Sequence, residues 1–260
     1  MTAQEVGSTY MFMLPVEVLV EIFRWVVSSY LDIESMRNMA LVCRWFYTCS
    51  RVEVLWRSMC IRVWGVACQY PCSYSYCWRR MYLKRFHIEY SGIYISSIKF
   101  MRRYQERRYG YYRPHHCQYF KYIRFFPNGT VIIYTTEGKR GVALPVVELP
   151  VTKSAGMSLG HFEQEGDTIQ IVTATSSKPR LDRRNQRGIT NARETYSFLT
   201  LNLGRHDNCR YCHLDLSRCR ITTFDKITKL QTTHDNETIQ YRAFQFFPIE
   251  SYVARAHTPL

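Results

Sequence analysis

A chain of 260 residues with an apolar fraction of 46% has enough nonpolar material for one large or two modest cores. Thirty-five Lys and Arg against 21 Asp and Glu leave a formal charge of +14, which points to an anionic partner (nucleic acid, an acidic or phosphorylated protein segment, or a lipid surface) without choosing among them. The opening MTAQEVGSTY lacks a positive n-region, and Glu17, Glu21 and Arg24 break the apolar run that follows, so neither a signal peptide nor a membrane span is expected, and the ten irregularly spaced cysteines read as reduced intracellular thiols.

The first predicted element opens at Leu14-Pro15, where proline at the first turn of a helix gives up no hydrogen bond. Val18, Leu19, Ile22, Phe23, Val26 and Val27 then recur at helical spacing and form one apolar stripe ending near Ser28-Ser29. A second short helix is predicted after Asp32, with Asp32 or Ser35 as N-cap and Met36, Met39, Ala40 and Val42 along one side. A third is expected from about Arg51 to Val63, with Leu55, Met59 and Val63 four residues apart. A three-helix bundle this small cannot bury so much apolar surface within itself, so part of it is expected to face a partner.

Three ordered blocks lie in this head: Leu14-Pro15-x-Glu17-x-Leu19-x-x-Ile22-Phe23, then Ser35 and Leu41-Val42-Cys43-Arg44-x-Phe46, then Leu55-Trp56-Arg57-x-x-Cys60. Together they resemble the F-box. The resemblance implies binding to the Skp adaptor of SCF-type cullin ubiquitin ligases, with Leu14, Pro15, Leu19, Ile22, Leu41, Val42, Cys43, Phe46 and Trp56 as the contact set. Several aliphatic anchors and one Trp on helices suit a desolvated hot spot against a helical partner. Val42, Phe46 and Trp56 could equally hold the three helices together.

Beyond Trp64-Gly65 an irregular connector holds Cys68, Pro71, Cys72 and Cys77, followed by a predicted helix around Trp78 to Phe86. From Gly92 period-2 patterns take over, and the 20 tyrosines in the chain favour pleated, half-buried surfaces. Strands are predicted at Ser91 to Ser96, Gln118 to Phe126 and Thr130 to Thr135, with Asn128-Gly129 as a two-residue hairpin turn. Leu159 to Glu163 and Thr168 to Ala174 flank Gly166-Asp167 as another hairpin, and Glu194 to Leu203, Tyr211 to Leu216, Arg218 to Phe224 and Thr238 to Phe247 read as further strands. About eight to ten antiparallel strands joined by short turns suggest a barrel or a sandwich. The basic stretch Lys178 to Arg193 reads as an exposed loop.

Within this body, Gly92-Ile93-Tyr94-Ile95-Ser96, Tyr122-Ile123-Arg124-Phe125-Phe126-Pro127-x-Gly129, Leu159-Gly160-His161-Phe162 and Ser251-Tyr252, together with IFRWVVSS at Ile22 to Ser29, are similar to the F-box only protein 9 family. That resemblance implies an SCF substrate receptor with a lipocalin-like β domain. It departs from the family in one respect: a helical-repeat region is expected ahead of the F-box, and 13 residues precede Leu14.

Two clusters carry candidate chemistry. Cys209-Arg210-Tyr211-Cys212-His213 spells the c-type haem attachment pattern, but it precedes a strand without an export signal, and haem is rejected. His206, Cys209 and Cys212, with His213 or Cys219, could supply zinc ligands; free thiols at a loop are favoured, so no metal and no cofactor is expected. His115-His116-Cys117 reads as a solvated loop, because consecutive side chains diverge. From Trp78 to Arg124 there are 12 Lys or Arg, among them Arg102, Arg103, Arg107, Arg108 and Arg113, interleaved with tyrosines. This run reads as a solvated basic face, as a patch for an acidic or phosphorylated protein, or, with less weight, as a single-strand RNA surface.

The sequence therefore predicts an α+β chain: residues 1–13 a tail, 14–63 a three-helix F-box, 64–90 a connector with a short helix, and 91–260 an antiparallel β-barrel domain. The expected function is non-catalytic: the substrate-recognition subunit of an SCF ligase, partnered by the Skp adaptor, through it by cullin and RING subunits, and by an acidic or phosphorylated protein substrate. A cytoplasmic and nuclear setting is expected, without membrane or nucleic acid. The alternative is a stand-alone basic β-barrel that binds RNA or a small apolar ligand.

Overall fold

The computed structural model describes residues 14–105, 112–137, 156–176, 193–204, 213–225, 228–235, 242–248 and 260, with the backbone path alone at 99–105, 112–116, 176 and 193. Two compact units are present, one of Met1–Arg85 with Pro248–Leu260 and the other of Phe86–Phe247.

The first unit is helical. Helix α1 (Val16–Val27) follows Pro15, carries Glu17 in its first turn, and ends where Ser28 turns to φ 53°. Helix α2 (Ile33–Ala40) is capped by Asp32, whose carboxylate accepts from the Ser35 amide at 2.9 Å and the Ser35 hydroxyl at 2.7 Å, settling which of the two cap candidates does the work. The expected three-helix head is corrected to four. Met39-Ala40 does not continue to Val42: the chain breaks at Leu41, and a further helix α3 (Arg44–Cys49) starts behind Cys43, whose sulfur accepts from the Phe46 amide at 3.4 Å. Six residues make less than two turns, too few for a 3.6-residue period to register in the sequence. Helix α4 (Glu53–Trp64) ends at Gly65, φ 53°, and α5 (Trp78–Lys84) follows two short 3₁₀ turns. Leu19, Phe23, Val27, Leu55, Met59 and Cys60 lie at 0 to 1% exposure in the centre of this unit, each burial of a side chain this size contributing about 1.5–3 kcal/mol.

The second unit is a nine-stranded antiparallel sheet in the order β8-β7-β6-β5-β4-β3-β2-β1-β9. Its strands are β1 (Gly92–Gln105), β2 (Tyr112–Phe125), β3 (Thr130–Thr136), β4 (Met157–Glu165), β5 (Thr168–Ser176), β6 (Arg193–Gly204), β7 (His213–Asp225), β8 (Gln231–Asp235) and β9 (Gln245–Pro248). The β1–β2 hairpin is far longer than its sequence pattern indicated, with Gln105 still opposite Tyr112. The β2–β3 turn has three residues rather than two: Gly129 donates to the Phe126 carbonyl at 3.0 Å and takes φ 82°, a type of turn that needs a glycine at its last position. The β4–β5 turn is the two-residue Gly166-Asp167 connection, with Glu165 opposite Thr168.

The two strands expected at Tyr211 to Leu216 and Arg218 to Phe224 are one strand, β7, interrupted by a bulge: Thr200 pairs Arg218 while Leu201 pairs Leu216. The extra residue, Ser217, donates its hydroxyl to the Thr200 carbonyl at 2.9 Å. One inserted residue reverses the inward phase from Leu214 and Leu216 to Cys219 and Ile221, which is why the pattern reads as two strands. Strand β8 carried no apolar signal and was missed. The strand expected from Thr238 to Phe247 is the short β9, its beginning outside the described residues.

Among the described residues the ladder does not close on itself, so they do not form the expected barrel as a continuous ladder. An isolated bridge joins Leu214 of β7 to Phe244 just before β9, with hydrogen bonds of 3.0 and 2.8 Å. The inner face collects Tyr94, Ile123, Phe125, Val131, Ile169, Ile171, Leu199 and Leu201, all nearly solvent-free; Tyr94 meets Phe125 and Phe246 edge-on at 5.7 and 5.2 Å.

Candidate functional site

The side chains of α1 divide between two faces. Leu19, Phe23 and Val27 point into the helical core, where Phe23 meets Phe46 edge-on at 5.9 Å. Val18, Ile22 and Trp25, spaced i, i+4 and i+7, form a second row; Val18 and Trp25 are 44% and 47% exposed and Ile22 is half-buried. This row lies outside the filled core of the head. It has company at the α2–α3 turn, where Leu41, Val42 and Trp45 are 79%, 70% and 38% exposed.

The nine residues proposed as adaptor contacts fall into three groups. Leu19, Phe46 and Trp56 are buried, and the Trp56 indole N–H donates to the Ser50 carbonyl at 2.8 Å, which ties the α3–α4 turn to the core. Leu14, Ile22 and Cys43 are half-buried, Cys43 occupied as the α3 cap. Pro15, Leu41 and Val42 are exposed. Val18, Trp25 and Trp45 were not among the predicted contacts, although their apolar character beside the core stripe was visible in the sequence.

The rim of the head is cationic and aromatic. Arg85 lies over Trp64 at 4.7 Å and Arg79 over Trp56 at 5.5 Å, cation–π contacts between guanidinium and indole. Burial pushes the Cys60 thiol up to about 12, with Cys68 adding to the shift, and its sulfur lies 3.5 Å from the Trp78 carbonyl.

The proposed acidic-partner patch of Arg102, Arg103, Arg107, Arg108 and Arg113 lies outside the described side chains, as do the candidate zinc ligands His206, Cys209 and Cys212. Of the two companions, His213 contacts the Asp215 carboxylate at 3.1 Å and Cys219 is buried in β7. Among the described residues no three His, Cys, Asp or Glu side chains come together as a metal site. On the inner face, burial holds Lys121 of β2 below the ordinary lysine range, with Cys219 of β7 near enough to offset part of that shift.

Comparison with known proteins follows this division of the chain. The F-box-like family model matches residues 11–62, which cover α1 to most of α4, and the model of the F-box only protein C-terminal region matches residues 69–195. The F-box protein pof7 of Schizosaccharomyces pombe is 26% identical over 136 residues, 48% of this chain and 38% of that protein, so the chain spans well under half of that relative's length. No solved structure matches.

Proposed function

We propose that this chain, which combines an F-box-like segment with an F-box only protein C-terminal region, is a receptor subunit that docks on the Skp adaptor of an SCF-type ubiquitin ligase and presents protein substrates through its sheet. The observation that carries the reading is the second apolar row of α1, Val18, Ile22 and Trp25, with Leu41 and Val42 exposed nearby in the chain. Transfer chemistry belongs to other subunits in this reading, and the setting is the cytoplasm and nucleus. The β domain curls toward a lipocalin-like calyx; the Leu214–Phe244 bridge and the mutual influence of Lys121 and Cys219, strands apart in the sheet order, support it.

The docking test must avoid the core. Lys at Leu19, which is fully buried, would unfold the head and lose any partner by default. Val18→Glu with Val42→Asp places charge on two exposed positions, the first in the opening turn of α1 where the helix dipole favours it and the second between the end of α2 and the start of α3. Copurification of Skp adaptor and cullin is expected to be lost while the melting temperature of the isolated chain shifts by no more than about 2–4 °C. Retention of the complex by this variant removes the docking assignment.

A further inference from the structure

The outer face of β6 to β8 carries an open groove of about 630 Å³ with an aromatic floor, Tyr196, Phe198 and Phe224, bordered by Glu194, Arg220 and Thr222. Tyr196 and Phe198 are 36% and 40% exposed, on the face opposite the buried Leu199 and Leu201. The floor continues across the sheet, because Phe198 pairs with Val172 and Tyr196 with Ala174, which in turn pairs with Leu159; Val172 and Leu159 are 42% and 53% exposed. Scattered exposed apolar residues are ordinary, but a contiguous set on adjacent strands marks a binding surface.

β8, last in the strand order among the described residues, forms one side of this groove. Gln231 and Thr233 of β8, a strand exposed at all five residues, QTTHD, complete the lining. Charge is unevenly placed along it. Arg220 and Arg218 share the one carboxylate of Asp235, at 3.0 and 3.3 Å, with both guanidinium groups about half exposed; the Arg220 hydrogen bond holds that carboxyl below the usual range. Two cations on one anion leave a positive charge at this end, in a chain of net +14. Glu194, hydrogen-bonded by the Tyr196 hydroxyl at 3.2 Å, sits toward the other end.

We propose that this groove takes an extended acidic segment of a substrate protein, which lies over the outer face of β6 to β8, packs alternate apolar side chains on Tyr196, Phe198 and Phe224, and sets a carboxylate against Arg218. The aromatic floor supplies apolar contact, and the Arg218 guanidinium supplies selectivity for a carboxylate. The inference rests on the receptor reading, since it names where and what that receptor binds.

The test uses the full chain and two fluorescein-labelled ten-residue peptides, both alternating Phe or Val with Thr, one ending in two Glu and the other in two Lys. Fluorescence anisotropy is expected to give at least tenfold tighter binding of the Glu peptide. Phe198→Asp, at an exposed position, weakens it tenfold or more, and Arg218→Glu, which leaves the Arg220–Asp235 pair, moves the preference toward the Lys peptide, with circular dichroism unchanged in both. Absence of binding, indifference to peptide charge, or unchanged affinity in Phe198→Asp overturns the proposal. So does self-association that Phe198→Asp abolishes, which would assign the face to a second copy. Adaptor copurification from the same samples separates the two readings: adaptor kept with peptide binding absent removes this inference alone, whereas peptide bound with adaptor lost removes the receptor reading.

Discussion

At the scale of single residues, the same apolar side chain means different things on the two sides of α1. Leu19 is solvent-free and Val18, one position away, is 44% exposed; a helical repeat identifies both as belonging to apolar rows, yet burial assigns one to the core and leaves the other at the surface. Trp56 shows the same split, since its motif position suggested a contact, while its indole hydrogen bond to Ser50 and 4% exposure make it a strut. The thiols divide in the same way. Cys60 is buried with its thiol pushed up to about 12, whereas Cys72 is exposed. Thiolate is the reactive form, so alkylation with iodoacetamide at pH 8 is expected to label Cys72 within minutes and to leave Cys60 unlabelled until denaturant is added, as read by peptide mass spectrometry. Rapid labelling of Cys60 in the native chain would contradict its packing.

At the scale of elements, helices and hairpins with a strong period were legible and those without one were not. α1, α4 and the β4–β5 hairpin follow from spacing and turn residues; α3 is too short for its period to register, and β8 is wholly exposed, so no alternation betrays it. The β7 bulge hid in another way, since the extra Ser217 changes which residues face inward partway along a continuous strand. Close approach between strands is a further property of elements. A Cβ on Gly160 would run into the Val172 carbonyl oxygen and lie 2.7 Å from Thr173 Cγ2, whereas one on Gly166 meets nothing. Gly160→Ala is therefore expected to cost about 1–3 kcal/mol through overpacking against backbone, and Gly166→Ala, at φ 60°, roughly 1–2 kcal/mol from conformation alone. Urea midpoints measure both costs, and a Gly160→Ala midpoint unchanged from that of the parent chain would argue against the tight β4–β5 contact.

At the scale of the whole molecule, the two units of the chain have separate cores, one around Leu55 and one around Ile171. Two unfolding transitions are expected by calorimetry. Leu55→Ala should lower one and Ile171→Ala the other, each by about 2–5 kcal/mol of local stability; a shift of both transitions by either variant would mean a single cooperative unit. The sequence by itself determined the order of the chain, a helical head ahead of an antiparallel body, and the ordered motif blocks that the family matches at 11–62 and 69–195 extend. It did so because helical and strand periods, caps and turn residues are local properties, written within a few neighbouring positions. Tertiary structure alone decided which apolar row of α1 is covered, that Leu214 of β7 bridges to Phe244, and that Tyr196, Phe198, Phe224 and Arg220 share one groove, because those outcomes depend on which distant strands pair and what burial leaves exposed.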